Sequence, residues 1–128
     1  MTSKGKILLM DDEQIILDVT REVLAFLGYE VEFARDGQAA LDLYKQAMVA
    51  GAPFDAVILD LSIPEGMGGR EAILEFQKLD PAVKAIVSSG YSNDPVVMEY
   101  ERYGFSGKLT KPYKITDMKE ILERLVPK

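Results

Sequence analysis

Asp11, Asp12, Asp60, Ser88, Ser89 and Lys111 are the residues whose types and spacing could do chemistry. Each closes or follows a short segment that reads as a strand: 7–10 ahead of Asp11 and Asp12, 54–59 ahead of Asp60, 83–88 ahead of Ser89, and 107–110 ahead of Lys111. Taken singly, each has a bland explanation. Asp11 or Asp12 could cap the helix that follows, Ser89 could satisfy local backbone, and Lys111 could be a solvated amine. Taken together they describe a site. Three carboxylates in one place raise one another's pKa, so a positive partner is required among them. Oxygen ligands alone suit a hard cation such as Mg2+, which keeps several waters and bridges carboxylates to a phosphoryl group. Lys111 would supply a second positive charge, and a unit pair at ~4 Å is worth ~4 kcal/mol at an effective dielectric of 20 before desolvation is subtracted. Ser89 would donate a hydrogen bond to the same oxygen.

Composition narrows the chemistry further. The 128 residues contain no cysteine and no histidine, so disulfides, thiol nucleophiles, imidazole bases and Cys/His zinc sites are excluded. A chain of this length, 48% hydrophobic and 28% charged, is expected to fold as one globular domain. No apolar run approaches the ~20 residues needed to span a bilayer, and the N-terminus is not followed by a signal-peptide core. A cytoplasmic location with no membrane segment is the expectation. With 15 basic and 21 acidic residues the net charge is -6, which disfavours direct contact with nucleic acid.

The elements that must position these residues follow from periodicity. Residues 7–10 are uniformly apolar and fit a strand covered on both faces. Ile16, Val19, Val23, Leu24 and Leu27 recur at helical spacing up to Gly28, which is placed to end the helix in the left-handed region. Residues 29–34 alternate as a second strand, and Asp36 then caps a helix carrying Ala40, Leu41, Leu43, Tyr44, Ala47 and Met48. The third strand leads through the loop 64–69 to a helix with Ala72, Ile73, Phe76 and Leu79. After the fourth strand, Asn93, Asp94 and Pro95 predict a capped helix running to Gly104. Asp117 with Glu120 offers a capping-box-like start for a last helix bearing Met118, Ile121, Leu122, Leu125 and Val126. Five strands alternating with five helices predict an α/β domain with a parallel sheet, whose ligand site lies beyond the carboxyl ends of the strands.

The combination of Asp11-Asp12, Asp60 with Pro64 four residues on, Ser89-Gly90 and Lys111-Pro112 resembles the receiver domain of two-component response regulators across essentially the whole chain. The resemblance implies a flavodoxin-like (βα)5 three-layer sandwich with strand order 2-1-3-4-5. It implies a single receiver domain over 1–128 with its core at about 6–126, and no output domain within these residues. It also implies that Asp60 is the phosphoacceptor, charged by a histidine kinase or a histidine phosphotransfer protein. Asp11, Asp12, Asp60 and the Ser62 main-chain carbonyl would hold Mg2+, for which Mn2+ can substitute. Ser89 would be the switch hydroxyl and Lys111 the partner of the phosphoryl group, with either the face made by helix 4, strand 5 and helix 5 reporting the change or the phosphoryl group being passed onward to a histidine. The domain would be a signalling module that assists its own phosphorylation and dephosphorylation, not an enzyme in its own right. Receivers of hybrid sensor kinases share the glycine-rich 64–69 loop and the 88–95 segment, and a homodimer is a further arrangement the family allows.

Two departures from the family pattern stand out. The usual Pro-x-Met-Asp-Gly becomes Pro64-Glu65-Gly66-Met67-Gly68-Gly69, one residue longer, and its three glycines fit no phosphate-binding motif, so a mobile loop is expected. Lys108 stands three residues before Lys111 where an aromatic residue is usual, and its ammonium resists burial. The resemblance implies that Lys108, Pro112 and Tyr91 modulate the site, Tyr91, two residues beyond the switch hydroxyl, by obstructing water and slowing loss of the phosphoryl group. A dehalogenase-like hydrolase would need a second Asp two residues after Asp60, where Ser62 stands. A nucleotide binder would need a phosphate loop in place of Asp11, Asp12 and Glu13. The remaining alternative is an interaction adaptor with a degenerate site.

Overall fold

A computed structural model describes residues 3–127. Five parallel strands, β1 (Lys6–Met10), β2 (Glu30–Ala34), β3 (Ala56–Asp60), β4 (Ala85–Ser89) and β5 (Gly107–Thr110), form one sheet in the order β2-β1-β3-β4-β5. The helices are α1 (Gln14–Leu27), α2 (Gly37–Val49), α3 (Gly69–Leu79), the four-residue α4 (Pro95–Met98) and α5 (Ile115–Leu125). This is the flavodoxin-like architecture expected from the sequence.

The three inner strands are buried along nearly their whole length, because helices cover both faces and no alternation with polar residues is required. The pleat sends alternate side chains to opposite layers. Leu8, Met10, Val57, Leu59, Ala85 and Val87 pack with α2, α3 and α4, whereas Ile7, Leu9, Ala56, Ile58, Ile86 and Leu109 pack with α1 and α5. The edge strands keep polar outward residues, with Glu30 and Glu32 on β2 and Lys108 and Thr110 on β5 all exposed.

Several local signals operate as read. Gly28 ends α1 at φ 94°, Asp36 accepts a hydrogen bond from Ala39 N (2.9 Å), and Asp94 accepts one from Val96 N (2.9 Å) with Pro95 opening α4. Other expectations need correction. The buried face of α1 is Leu17, Thr20, Val23, Leu24 and Leu27, while Val19 is 49% exposed. The fourth helix does not run to Gly104: α4 stops at Met98 and a 3-10 turn (Tyr100–Tyr103) follows. The last helix begins at Ile115, so Asp117 lies within its first turn rather than at its cap. Among the described residues no helix is long and apolar enough to cross a membrane.

The glycines of the 64–69 loop have structural reasons beyond flexibility. Gly66 adopts φ 99°, and a Cβ on Gly69 would lie 2.9 Å from the Asp60 carbonyl oxygen and 3.1 Å from that of Leu59. The loop is tied to the start of α2, where Gly37 N donates to Met67 O at 2.7 Å.

Candidate functional site

Register places the candidate residues together. Met10 pairs with Leu59 and Asp60 with Ser88, so the chain leaves β1, β3 and β4 at the same level of the sheet. Asp11 N is held by Ala34 O (3.0 Å), Leu61 N by Ser88 O (3.0 Å) and Lys111 N by Ser89 O (2.9 Å). Asp60 is therefore the last residue of β3 rather than the first of a loop, and Ser88 and Ser89 both belong to β4.

Asp11 is 0% and Asp60 1% exposed. Lys111 Nζ lies between them, 2.6 Å from Asp11 Oδ2 and 3.2 Å from Asp60 Oδ2, with Glu13 Oε1 at 4.0 Å. The lysine side chain is 12% exposed, so it is no solvated surface amine. Asp11 Oδ1 accepts from Glu13 N (2.9 Å), and Asp60 Oδ1 accepts from Ser62 N (3.2 Å). The two Oδ2 atoms meet the ammonium as ion-pair partners but receive no hydrogen bond of regular direction. No side chain caps α1, so Asp11 and Asp12 are not spent in that way.

Burial, and after it the Asp11 charge, raises the Asp60 carboxyl from its ordinary 3.8 to about 6, with Lys111 and the Ser62 N–H pulling against them. Burial works to lower the Lys111 pKa, yet its contacts with Asp11 and Asp60 outweigh that and hold it above the usual lysine value. The site thus carries more negative charge than one ammonium offsets.

Asp12 completes a carboxylate cluster in which Asp11, Asp12 and Asp60 each offer an oxygen within 4.8 Å of the others. This donor set, with two buried oxygens lacking a hydrogen-bond donor, fits a hard divalent cation. Ser62 is exposed beside the cluster. Ser89 is 2% exposed and its Oγ accepts from Tyr91 N at 3.0 Å, so the local-backbone reading holds in part while the hydroxyl proton stays free to be donated. Tyr91 is 69% exposed. Pro112 follows Lys111 through a cis peptide bond. Lys108 is exposed, with Nζ 6.0 Å from the Tyr100 ring centroid, so its ammonium stays in solvent against an aromatic face.

Three residues join the site without a spacing signal of their own. Glu13 approaches Lys111, Arg35 donates to Asp12 O (3.2 Å), and the Tyr113 hydroxyl pairs with Ser88 Oγ. The strand pleat carried a signal for Ser88, which shares the face of its partner Asp60; Arg35 and Tyr113 required the tertiary fold.

The profile of the response regulator receiver domain matches residues 7–123. Chemotaxis protein CheY of Thermotoga maritima is 30% identical over 121 residues, covering 94% of this chain and 96% of that protein. Sporulation initiation phosphotransferase F of Bacillus subtilis is 28% identical over 122 residues, covering 95% and 94%. Among solved structures, the receiver domain of sensor histidine kinase PA1611 from Pseudomonas aeruginosa, described with a magnesium ion coordinated in its active site cleft, superposes with a TM-score of 0.79. That structure covers 97% of this chain and 98% of its own, and at 24% identity the likeness is one of fold.

Proposed function

Because the chain belongs to the response regulator receiver family of two-component signalling, we propose that Asp60 accepts a phosphoryl group from a phosphohistidine of a sensor kinase or phosphotransfer protein. Residues 1–128 would act as one receiver domain with its core at about 6–126. The observation that carries the reading is the placement of Lys111 Nζ between the buried carboxylates of Asp11 and Asp60 at the end of β3. An Asp60 oxygen forms the new P–O bond as the donor's P–N bond breaks, and that bond's electron pair leaves on the imidazole nitrogen, which is protonated. Such a transfer needs alignment and charge neutralisation more than a protein base, so a chain without histidine can support it.

Asp11, Asp12, Asp60 and the Ser62 carbonyl would hold Mg2+, or Mn2+ in its place. A bound divalent cation supplies charge neutralisation for the incoming phosphoryl oxygens. Lys111 offers the ammonium that exchanges its Asp60 contact for a phosphoryl oxygen. Ser89 is poised to donate its hydroxyl proton to the same group, giving up its link to Tyr91 N and passing the change to α4, β5 and α5. An adaptor with a degenerate site has no use for this convergence.

Incubation with acetyl phosphate and Mg2+ should add one phosphoryl group to the wild-type chain and none to Asp60→Asn, read by intact-protein mass spectrometry. No addition, or equal addition to Asp60→Asn, would sink the acceptor role. Independently, Mg2+ at 100 times its dissociation constant should stabilise the fold by ~2.7 kcal/mol if it binds only the native state. A flat unfolding midpoint across a Mg2+ titration would count against the cation site.

A further inference from the structure

We infer that the hydrogen bond between the Tyr113 and Ser88 hydroxyls holds the Lys111 ammonium between Asp11 and Asp60, making Tyr113 and Ser88 positioning residues for phosphoryl transfer. The inference rests on the acceptor role proposed for Asp60 and specifies how the site keeps its lysine in place.

Lys111 is the first residue after β5, in the short connection to α5. A lysine side chain carries ~2 kcal/mol of rotamer entropy, so a defined ammonium position requires a fixed backbone beneath it. Two tethers to β4 supply that. On one side Lys111 N donates to Ser89 O at 2.9 Å. On the other, two residues further on, the Tyr113 ring packs against the layer of Ile86, Leu109 and Met118, and its hydroxyl returns to Ser88 Oγ. Lys111 is thus pinned on both sides to adjacent residues of the strand that flanks Asp60.

Ser88 is the point where this tether reaches the acceptor. It is 0% exposed, it pairs directly with Asp60 across β3 and β4, and the pleat sends both side chains to the α1 and α5 face. The preceding strand residues Ala85, Ile86 and Val87 are apolar, and an apolar residue at 88 would fill the space without a hydroxyl needing a partner. Tyr113 feels both carboxylates: burial first, then Asp11 and Asp60, keep its phenol protonated against the opposing pull of Ser88. The phenol contributes a neutral hydroxyl and no charge, which suits a brace beside an ion triad.

A brace must be separated from ordinary packing, since buried tyrosine hydroxyls usually find some partner. The Ser88→Ala/Tyr113→Phe double variant removes both polar partners and keeps the ring, an exchange that can be nearly neutral for stability. With positioning, the double variant should unfold in urea near the wild-type midpoint, whereas Tyr113→Phe alone, which leaves the buried Ser88 hydroxyl without its partner, should unfold at a lower one. Both should also need Mg2+ within twofold of wild type, yet accept the phosphoryl group from acetyl phosphate roughly 10- to 100-fold more slowly at saturating Mg2+. Labelling at the wild-type rate, or slowing only where stability falls with it, overturns the inference while leaving the acceptor role intact. Absence of labelling in the wild-type chain overturns the acceptor role and this inference with it.

Discussion

Lys111→Met is expected to cost about 3–5 kcal/mol at pH 8 without divalent cations, the usual penalty for stripping the partner from buried charge. The substitution leaves Asp11 and Asp60, 0% and 1% exposed, facing each other without the ammonium that lies 2.6 Å and 3.2 Å from them. The loss should shrink at pH 5. Lys111 is one of the influences holding the Asp60 pKa down, and with the lysine present that pKa is already raised to about 6. Without it the carboxyl rises further, takes up a proton in mild acid, and relieves the repulsion. Mg2+ should also recover part of the loss at pH 8, because a cation in the carboxylate cluster replaces the missing charge. Urea unfolding at pH 5 and pH 8, with and without Mg2+, measures all three effects. An equal loss at both pH values would mean that the lysine stem, through packing, matters more than its charge.

That charge logic was legible before the fold. Apolar runs with no polar alternation announce strands buried on both faces, and the residues that end them must emerge at one edge of a parallel sheet. Asp11, Asp60, Ser89 and Lys111 all follow from that rule. The rule failed where local patterns compete. Around α1 the apolar residues Ile15, Ile16, Leu17 and Val19 offer two overlapping stripes, and the true core face includes Thr20, 0% exposed, which a search for apolar residues rejects. In the segment after Pro95, the β-branched pair Val96 and Val97 weakens the helix. The backbone departs at Glu99 (φ -117°, ψ 44°) and continues as a 3-10 turn, with Arg102 N donating to Glu99 O (3.0 Å). The Ser88 and Tyr113 pair lies 25 residues apart in sequence and depends on the β4–β5 register, which no local signal encodes.

Asp60→Asn is expected to make the metal-free fold more stable at neutral pH, the opposite of what removing an ion-paired residue usually does. The sign follows from the direction of the shift. A carboxyl whose folded-state pKa is about 6 against an ordinary 3.8 binds protons more readily when folded than when unfolded, so stability falls as pH rises from about 4 to above 6. A shift of about two units corresponds to about 3 kcal/mol, spent on keeping a buried, Asp11-opposed charge ionised. Asparagine keeps the shape, removes that charge, and leaves Lys111 its 2.6 Å contact with Asp11. At pH 7.5 without Mg2+ the variant should therefore gain up to about 3 kcal/mol; at pH 4, where Asp60 is protonated in the folded wild type, the two proteins should nearly coincide. Added Mg2+ should narrow the gap at pH 7.5, because it stabilises the wild type by more than a variant short of one carboxylate ligand. Denaturant unfolding across pH 4 to 7.5 reads this directly, and a variant less stable than wild type at pH 7.5 would show that the Lys111 contact outweighs burial. With the predicted sign, the instability of the empty site is what a cation and an incoming phosphoryl group would relieve. The acceptor would then be held ionised at neutral pH at a cost to the fold, ready for transfer.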